Sequence, residues 1–282
     1  MELLTITSES IDAILPVRDV NTHKGDYGRV LLLCGSIAYT GAPALAALGA
    51  LRSGAGLVYL GVPESIYAIE AVKLLEPIVL PLKDENGKVS PDAVEQVKEL
   101  LPRMDAVLVG PGLGVSEGTF RLVRCVLELY DGPVVLDADG INVLQSHMDI
   151  LRKRTRPTIV TPHEVEFVRL GGDLGIGRSE SAIALARDLG AIVVLKGHRT
   201  FISDGNTHYV NMTGNPGMAV GGCGDVLAGI LVSLLGQGIN PLKAAACSVW
   251  LHGAAGDLCA EEIGQYGMLP SDMIRVLPRL LR

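Results

Sequence analysis

The stretch that decides the fold of this chain runs from Asn215 to Leu235 and reads "NPGMAVGGCGDVLAGILVSLL". Four glycines precede an uncharged helical run: Gly217, Gly221, Gly222 and Gly224. Glycines allow backbone N–H groups to converge on an anion, and the positive N-terminus of the following helix faces that anion. Asp225 stands among these donors, where a lysine would be the natural phosphate partner. A helix cap at Asp225 would explain the aspartate but not the glycines, so we interpret the stretch as a phosphate-binding loop that carries a general base.

The sequence before this loop alternates short leucine- and valine-rich runs with longer helical stretches. Six runs are expected to be buried strands: Val30–Leu33, Leu57–Val62, Ala106–Val109, Val134–Leu136, Thr158–Val160 and Ala191–Leu195. Helices are expected over residues 42–54, with Pro43 in the first turn, over 90–101 with a Ser90 cap, and over 116–130 starting on Ser116. This alternation predicts an α/β fold with a doubly wound, mainly parallel central sheet flanked by helices.

Two further features complete the organisation of the chain. Residues 203–206 (SDGN) separate two β-rich runs and predict a small β-hairpin, after which the pattern is helical to the C-terminus. There is no internal repeat, low-complexity tract or long linker, so we expect a single domain over residues 1–282.

The composition argues against several classes of protein. Hydrophobic residues make up 48% of the chain and residues 30–51 are uncharged, but the segment CGSIAYTGAP would interrupt a membrane-spanning helix. The acidic N-terminus, MELLTITSES, is unlike a signal peptide, so the expected location is the cytoplasm. A formal net charge of −7 indicates no nucleic-acid partner, and the basic run RKRTR (152–156) is expected to be a solvated connector. Five scattered cysteines without a C-x-x-C pattern are expected to be reduced and to form no zinc site.

Several polar residues follow the expected strands, at the edge where open α/β sheets bind ligands. Asp137 could hold Mg²⁺ through water, with Asn142 one turn later, whereas Asp139 fits better as a helix cap. His163 fits a substrate contact and a structural role equally well. Lys196 could meet a phosphate as a point charge or be a solvated lysine that leads into the hairpin.

No standard nucleotide-binding motif is present. The segment VLVGPGLG (107–114) lacks the third glycine of a dinucleotide fingerprint, so it is either a tight turn or a backbone contact with a ligand. The chain has no G-x-x-x-x-G-K-[ST] sequence. Any nucleotide chemistry must therefore use a loop other than a P-loop, and the loop that ends at Asp225 is the strongest candidate for phosphoryl transfer by positioning and electrostatics.

The segment 222–225 (GCGD) resembles the G-x-G-D anion-hole motif of the ribokinase-like superfamily. Further stretches from about residue 23 to residue 253 are together similar to the NAD(P)H-hydrate dehydratase family: HKGDYGRVLLLCGS, GAPALAALGALRSGAGLV, VGPGLG, LDADGIN, TPHEVEF, LKG and TGNPGMAVGGCGDVLAG. GPG or LKG alone would be weak, but the full set of motifs in this order is highly specific. The resemblance covers nearly the whole chain.

The resemblance implies repair of hydrated nicotinamide cofactors. The S form of hydrated NADH or NADPH (NADHX or NADPHX) would be dehydrated with ADP, or ATP, as the co-substrate. Phosphorylation of the C6 hydroxyl would turn it into a good leaving group, and ADP would yield AMP and phosphate. Mg²⁺ with unknown protein ligands, and a homotetramer, are further implications of the resemblance.

The family roles carry over to matching positions of this chain. Asp225 would be the catalytic base, and the anion hole would comprise Gly222, Cys223 and Gly224. The hydrate would contact Ala42, Gly112, His163 and Asp225. The nucleotide would contact Lys196, Gly197, His198, Arg199, Thr200 and Gly224. Further candidates for the site are Asp137, Asn142 and Asn215.

The chain departs from the family pattern at two positions. Cys223 replaces the usual Thr or Ser, which removes a hydroxyl, and Gly140 stands where Ala is common. Because no epimerase-like sequence precedes residue 23, we expect this chain alone not to interconvert the hydrate epimers.

Two other functions remain open on sequence grounds. A kinase of a vitamin precursor such as hydroxyethylthiazole or hydroxymethylpyrimidine would share the loop and Asp225, but would release a stable phosphorylated alcohol. TPHEVEF and GAPALAA argue against that kinase. A nucleotide-binding protein without catalytic activity would keep the glycines and would not need Asp225.

Overall fold

A computed structural model describes residues 3–15 and 17–281 of the chain. The strands are β1 (Leu3–Thr5), β2 (Arg29–Leu33), β3 (Leu57–Pro63), β4 (Ile78–Leu82), β5 (Asp84–Glu85), β6 (Lys88–Val89), β7 (Ala106–Val109), β8 (Val134–Leu136), β9 (Thr158–Val160), β10 (Ile192–Leu195), β11 (Phe201–Ser203) and β12 (His208–Val210). The helices are α1 (Ser8–Asp12), α2 (Gly41–Arg52), α3 (Glu64–Lys73), α4 (Ala93–Leu100), α5 (Glu117–Leu129), α6 (Asp139–Asn142), α7 (Asp149–Lys153), α8 (Glu164–Arg169), α9 (Arg178–Leu189), α10 (Cys223–Gly236), α11 (Pro241–Glu262) and α12 (Pro270–Val276). Short 3₁₀ helices span Lys24–Tyr27, Leu101–Arg103, Leu174–Ile176, Pro216–Met218 and Leu277–Leu280.

Ten strands form one sheet in the order β1-β12-β11-β10-β9-β8-β7-β2-β3-β4. Strand β11 is antiparallel to both β10 and β12, and the other neighbouring pairs are parallel. The chain order reverses between β2 and β7, so the loops that follow these two strands diverge to opposite faces of the sheet. A crevice opens at such a switch point, at the carboxyl ends of the strands.

Helices cover both faces of the sheet, because successive side chains of a strand point to opposite sides. In β2, Val30 and Leu32 belong to one hydrophobic cluster, which includes residues of α2, α10 and α11. Leu31 and Leu33 belong to the other cluster, which includes residues of α4, α5 and α9. The doubly wound, mainly parallel sheet predicted from the sequence is therefore confirmed.

Helix α10 is almost completely buried against α2 and the sheet. Two glycines allow the close crossing: a Cβ at Gly229 would lie 2.2 Å from the Ala46 carbonyl oxygen, and one at Gly49 would lie 2.9 Å from the Val226 carbonyl oxygen.

Between residues 3 and 281, with residue 16 left aside, we find no helix that is both long enough and apolar enough to cross a membrane. The five cysteines are buried and free.

The sequence predicted the central strands well and the edges of the sheet poorly. The hairpin at residues 203–206 is confirmed as the β11–β12 turn, and it extends the main sheet. Strands β1 and β4 and the separate β5–β6 hairpin were not predicted. Both β1 and β4 are edge strands, and β4 contains Pro81, a residue that edge strands tolerate and that weakens the strand pattern.

Among the local predictions, one was wrong and two held fully or for most of their residues. Ser90 does not cap α4, because the N-cap is Asp92 and Ser90 only accepts the Ala93 N–H through its backbone carbonyl, at 3.1 Å. The run RKRTR is exposed as predicted except at Arg154, whose guanidinium is part-buried. Ser116 does cap α5, and its Oγ accepts the Thr119 N–H at 3.1 Å.

Candidate active site

The glycine-rich loop ends in an open nest of backbone N–H groups, a candidate anion site, at the N-terminus of α10. Gly222 is the N-cap, with φ of 101°, a left-handed conformation that glycine adopts at little cost. The Val226 N–H donates to the Gly222 carbonyl at 3.2 Å. Within residues 3–15 and 17–281, we find no hydrogen-bond acceptor for the N–H groups of Gly224 and Asp225. These two donors, at the positive end of a helix, suit an anion.

Asp225 lies in the first turn of α10 with its carboxylate half-buried. Burial, and to a lesser extent the Asp137 carboxylate, raises the pKa of Asp225 and Lys196 lowers it, with a net pKa of about 7. A carboxylate with a pKa near the working pH is well suited to accept a proton.

Lys196 and Asp137 form an ion pair beside the nest. Lys196 Nζ lies 2.7 Å from Asp137 Oδ1, and Thr161 Oγ1 donates to the same oxygen at 2.7 Å. Burial lowers the pKa of Lys196, but the carboxylates of Asp137 and Glu166 raise it by more, so the net pKa lies above its ordinary value. A Cβ at Gly224 would lie 3.5 Å from Nζ, which places a permanent positive charge next to the nest.

Ala42 and Gly112 meet at the switch point of the sheet. Gly112 follows β7 with φ of 69°, and a Cβ there would lie 3.0 Å from Ala42 Cβ and 2.8 Å from Tyr39 Cβ. A larger residue at position 112 would therefore fill the crevice between the β2–α2 and β7–α5 loops.

His163 is the N-cap of α8. Its Nδ1 accepts the N–H groups of Val165 at 3.1 Å and Glu166 at 3.3 Å, and the Glu166 carboxylate accepts the His163 N–H at 2.9 Å. Because Nδ1 acts as an acceptor, we assign the proton of the neutral ring to Nε2. The side chain is 53% exposed, so the ring has a structural role and an accessible edge at once.

An open groove of about 520 Å³ runs past this histidine. It is lined by His163, Glu164, Val165, Arg178, Lys196, Gly197 and His198. The β10–β11 loop forms one wall and is internally fixed, since Thr200 Oγ1 donates to the Gly197 carbonyl at 3.0 Å and Arg199 has φ of 57°. Arg178 supports this wall by donating to the Lys196 carbonyl at 3.1 Å. The residues from Lys196 to Thr200 thus form one continuous surface.

The prediction that Asp139 caps a helix was wrong. The N-cap of α6 is Ala138, and Asp139 Oδ2 instead accepts the Gly114 N–H at 2.8 Å. Asn142 Nδ2 donates to Asp139 Oδ1 at 3.2 Å, and Asn142 Oδ1 accepts from Arg169 at 2.6 Å. These contacts make Asn142 part of a scaffold that joins α6, α8 and the β7–α5 loop.

Asn215 supports the glycine-rich loop from within. Its Oδ1 accepts the Gly217 N–H at 3.0 Å and its Nδ2 donates to Asp257 Oδ1 at 3.0 Å. Asp257 Oδ2 also accepts the Gly214 N–H at 2.8 Å. The start of the loop is thereby tied to α11.

The two departures from the family pattern have local physical reasons. The Cys223 side chain is buried, and its Sγ lies 3.8 Å from Met273 Sδ in α12. The thiol therefore belongs to the packing between α10 and α12. At Gly140, a Cβ would lie 2.3 Å from the Val109 carbonyl oxygen, so this backbone has no room for alanine.

Sequence reasoning did not identify His252, although it contacts the nest. His252 Nε2 lies 2.9 Å from the carbonyl oxygen of Cys223. The available signal was a histidine inside the long, mostly apolar helix α11, in the segment HGAAGD. A lone histidine on such a helix is ambiguous until its partner, 29 residues earlier in the chain, is known.

The described residues hold no group of three His, Cys, Asp or Glu side chains suited to a metal ion. Magnesium sites at phosphates need only one or two carboxylates, because the phosphates and water complete the shell. Asp137 fits this need: Oδ1 is taken by Lys196 and Thr161, while Oδ2 lies on the side of Gly224.

Most of the chain is similar to proteins of one known family. The model of a family described as NAD(P)H-hydrate dehydratase matches residues 30–279. A bifunctional NAD(P)H-hydrate repair enzyme of Moorella thermoacetica is 43% identical over 275 residues, which are 95% of this chain and 52% of the relative. The chain thus spans about half the length of the curated relatives it matches.

Two solved structures have nearly the same fold over their whole length. An ADP/ATP-dependent NAD(P)H-hydrate dehydratase of Bacillus subtilis, co-crystallised with ATP and Mg²⁺, has a TM-score of 0.86 and 34% identity over 99% of this chain and 98% of its own. A ribokinase-like superfamily protein of Enterococcus faecalis has a TM-score of 0.88 and 26% identity over 99% and 95% of the two chains.

Proposed function

The chain belongs to the NAD(P)H-hydrate dehydratase family, and from this we propose that it dehydrates the S form of hydrated NADH or NADPH with ADP or ATP as the co-substrate. The observation that carries the proposal is the position of Asp225. Its carboxylate, with a pKa of about 7, stands in the first turn of a helix whose free N–H groups face the same crevice. A base and an anion site that adjoin one another suit phosphoryl transfer to an alcohol.

The proposed chemistry has two steps. Asp225 accepts the proton of the C6 hydroxyl as that oxygen attacks the terminal phosphorus of ADP, which releases AMP. Phosphate then leaves C6 with the help of the ring nitrogen, and loss of a proton from C5 restores the double bond. Overall, the hydrate and ADP are converted to the dihydronicotinamide cofactor, AMP and phosphate.

The nest would stabilise charge on the transferred group. The N–H groups of Gly224 and Asp225 would donate to its oxygens, and the Lys196 ammonium beside Gly224 would supply positive charge. The Cys223 N–H already donates to the Val220 carbonyl at 3.4 Å, so it contributes less. The Asp137–Lys196 pair keeps the ammonium directed at the nest.

The two substrates would approach the nest from opposite sides. Ala42 and Gly112 would contact the hydrate in the crevice at the switch point, where small residues leave room for a ring. The nucleotide would lie against residues 196–200, and the exposed edge of His163 would face the junction of the two substrates.

Mg²⁺ would be held by the phosphates and by Asp137, and it would neutralise charge on the oxygens of the transferred group. Since the B. subtilis relative was co-crystallised with ATP and Mg²⁺, we include this ion in the proposal. The Asp137 oxygen on the side of Gly224 supports this placement.

We further propose a cytoplasmic homotetramer whose subunits are single domains. A surface for subunit contact is available at α3 and β4, where several large apolar side chains are exposed: Tyr67, Ile69, Val72, Leu75 and Ile78. Light scattering on the purified protein would measure the mass, and a monomer at micromolar concentration would contradict this part of the proposal.

The test of the proposed function mixes purified protein with acid-hydrated NADH and with ADP, ATP or no nucleotide. We expect the absorbance of NADH to recover only with nucleotide, and Asp225→Asn to lose at least about a thousandfold in rate. Asp188→Asn, a surface carboxylate on α9 paired with Arg152, is the matched control and should keep full activity.

Other outcomes would identify the alternative functions. A stable phosphorylated thiazole or pyrimidine alcohol, with no recovery of NADH, would indicate a vitamin-precursor kinase. Nucleotide binding that Asp225→Asn leaves unchanged, without any turnover by the wild-type protein, would indicate a binding protein.

A further inference from the structure

Helix α11 carries a buried histidine whose partner is part of the anion-binding nest. His252 Nε2 lies 2.9 Å from the Cys223 carbonyl oxygen, and because a carbonyl only accepts, Nε2–H is the donor. Burial lowers the pKa of His252, the hydrogen bond to Cys223 raises it and the nearby Lys196 ammonium lowers it, with a net pKa of about 4. The ring is therefore neutral at physiological pH and keeps this donor.

The carbonyl that His252 holds belongs to the same peptide unit as the Gly224 N–H. A peptide unit is planar, and in the trans form its C=O and N–H point in opposite directions. The described residues contain no cis peptide bond. Fixing the Cys223 carbonyl toward α11 therefore fixes the Gly224 N–H toward the crevice.

The hydrogen bond also affects the strength of the Gly224 donor. A donor that binds the carbonyl of a peptide polarises the whole unit and makes its N–H a stronger donor on the other side. The Gly224 N–H has no acceptor among residues 3–15 and 17–281, so an anion in the crevice would benefit from this polarisation.

The same helix holds the other end of the glycine-rich loop. Asp257, about one and a half turns after His252, accepts the Gly214 N–H at 2.8 Å and an Asn215 side-chain N–H at 3.0 Å. Two glycines between them allow the loop to lie directly on the helix. A Cβ at Gly253 would lie 2.2 Å from Thr213 Oγ1, and one at Gly256 would lie 2.4 Å from Met218 Sδ.

We propose that His252 is a positioning residue, which orients the Gly224 N–H toward the transferred phosphoryl group through its hydrogen bond to the Cys223 carbonyl. This inference rests on the proposed function for the identity of the phosphoryl group. Its physical content, an oriented anion donor, applies to any phosphate bound at the nest.

The test compares His252→Gln with His252→Phe. Glutamine can place its amide nitrogen near the position of Nε2 and restore the donor, whereas phenylalanine keeps a ring and has no donor. We expect His252→Phe to lower kcat by about 10- to 100-fold, since loss of a complete oxyanion donor costs about 100- to 1,000-fold. His252→Gln should stay within about threefold of the wild type, and the KM for the hydrate should be unchanged in both.

A matched control is available on the same helix. Ser248 is buried in α11 and its Oγ donates only within the helix, to the Ala244 carbonyl at 2.6 Å. Ser248→Ala should alter the melting temperature without changing kcat. If His252 has a purely structural role, His252→Phe will likewise change the melting temperature and leave kcat unchanged. That result would overturn the proposal.

Two further measurements keep the test decisive. If His252→Phe does not fold, His252→Asn replaces it, because asparagine is too short to reach the carbonyl. A lowered kcat in His252→Asn beside a near-normal kcat in His252→Gln would support the proposal. Equal kcat values in these two variants would overturn it. Calorimetric titration with ADP separates this inference from the proposed function. Weaker ADP binding in His252→Phe than in His252→Gln would support the role of His252 even if the wild type dehydrated nothing, and equal affinities would then overturn it.

Discussion

At the scale of single residues, the protonation of Asp225 sets the pH dependence of the proposed reaction. The base must be deprotonated, and its pKa is raised to about 7, mainly by burial. We expect kcat/KM to rise about tenfold per pH unit below pH 7 and to level off above it. Initial rates measured between pH 5.5 and 8.5 would show this rise and the plateau above it. A midpoint near 4, the ordinary value for aspartate, would contradict the assignment.

The same carboxylate should reduce the stability of the fold as the pH rises. The folded-state pKa of about 7 lies above the ordinary aspartate value of 3.8, so between these two pH values the folded state binds a proton that the unfolded state has lost. Stability from this group therefore falls as pH rises through that window. We expect Asp225→Asn to be more stable than the wild type by about 1–2 kcal/mol at pH 8, and by less at pH 5. Urea denaturation at both pH values measures the difference in stability between the variant and the wild type. An equal difference at pH 5 and pH 8 would contradict the raised pKa of Asp225.

Cys223 tests whether the departure from the family pattern affects catalysis. Since Sγ packs against Met273 Sδ, the side chain at this position does not face the nest. We expect Cys223→Ser to keep kcat within about threefold and to lose about 1–2 kcal/mol of stability, because a hydroxyl would be buried in place of a thiol. A tenfold gain in kcat would instead mean that a hydroxyl at this position reaches the phosphate.

At the scale of elements, the end of α5 depends on a residue that is remote in sequence. Arg154 donates to the carbonyl oxygens of Leu127 at 2.6 Å, Tyr130 at 2.7 Å and Gly132 at 2.6 Å. Helix ends leave carbonyls without partners, and this guanidinium satisfies them. Burial lowers the pKa of Arg154 to about 10, so it remains charged at neutral pH.

Removing this guanidinium should affect stability alone. We expect Arg154→Met to lower the free energy of unfolding by about 2–4 kcal/mol, with kcat unchanged in the folded protein. The neighbouring Lys153, exposed and paired with Asp149, provides the control, and Lys153→Met should cost less than about 0.5 kcal/mol. Similar losses in the two variants would mean that Arg154 is as solvated as its neighbours.

At the scale of the whole molecule, the crevice is assembled from loops that follow β2, β7, β9 and β10 and from the start of α10. A ligand that joins these elements binds the folded state only, so it stabilises the whole domain. At 100 times its Kd, ADP should add about 2.7 kcal/mol and raise the melting temperature by about 5–10 °C. Adenosine at the same concentration lacks the phosphates that fill the nest and should raise it far less. Equal shifts would place the nucleotide away from α10.

The predictability of the fold varied between the centre of the sheet and its edges. Runs such as Val30–Leu33 are apolar on both faces, so they match a buried parallel strand without knowledge of their neighbours. Strand β4 is exposed or half-buried except at Leu82 and contains Pro81, and it forms because β3 offers it a free edge. Local sequence does not contain that information.

The candidate site divides in the same way. The glycines and Asp225 lie within eleven residues and have a pattern that indicates an anion site at a helix start. Asp137 and Lys196 were candidates separately, but their contact joins positions 59 residues apart. Asp139 was misassigned because its partner, Gly114, is a backbone group on a different loop.

The sequence by itself determined the class of fold and pointed to the candidate anion-binding loop and the candidate base, because periodicity, glycine content and charge are local properties. Only the tertiary structure decided the pKa of Asp225, the ion pair of Lys196 and the support that His252 gives to Gly224. Burial, and contacts across 29 or 59 residues, depend on which helix covers which face of the sheet. The packing of α2, α10 and α11 against the sheet therefore determines how a recognisable loop becomes a candidate site with a carboxylate, a positive charge and free N–H donors.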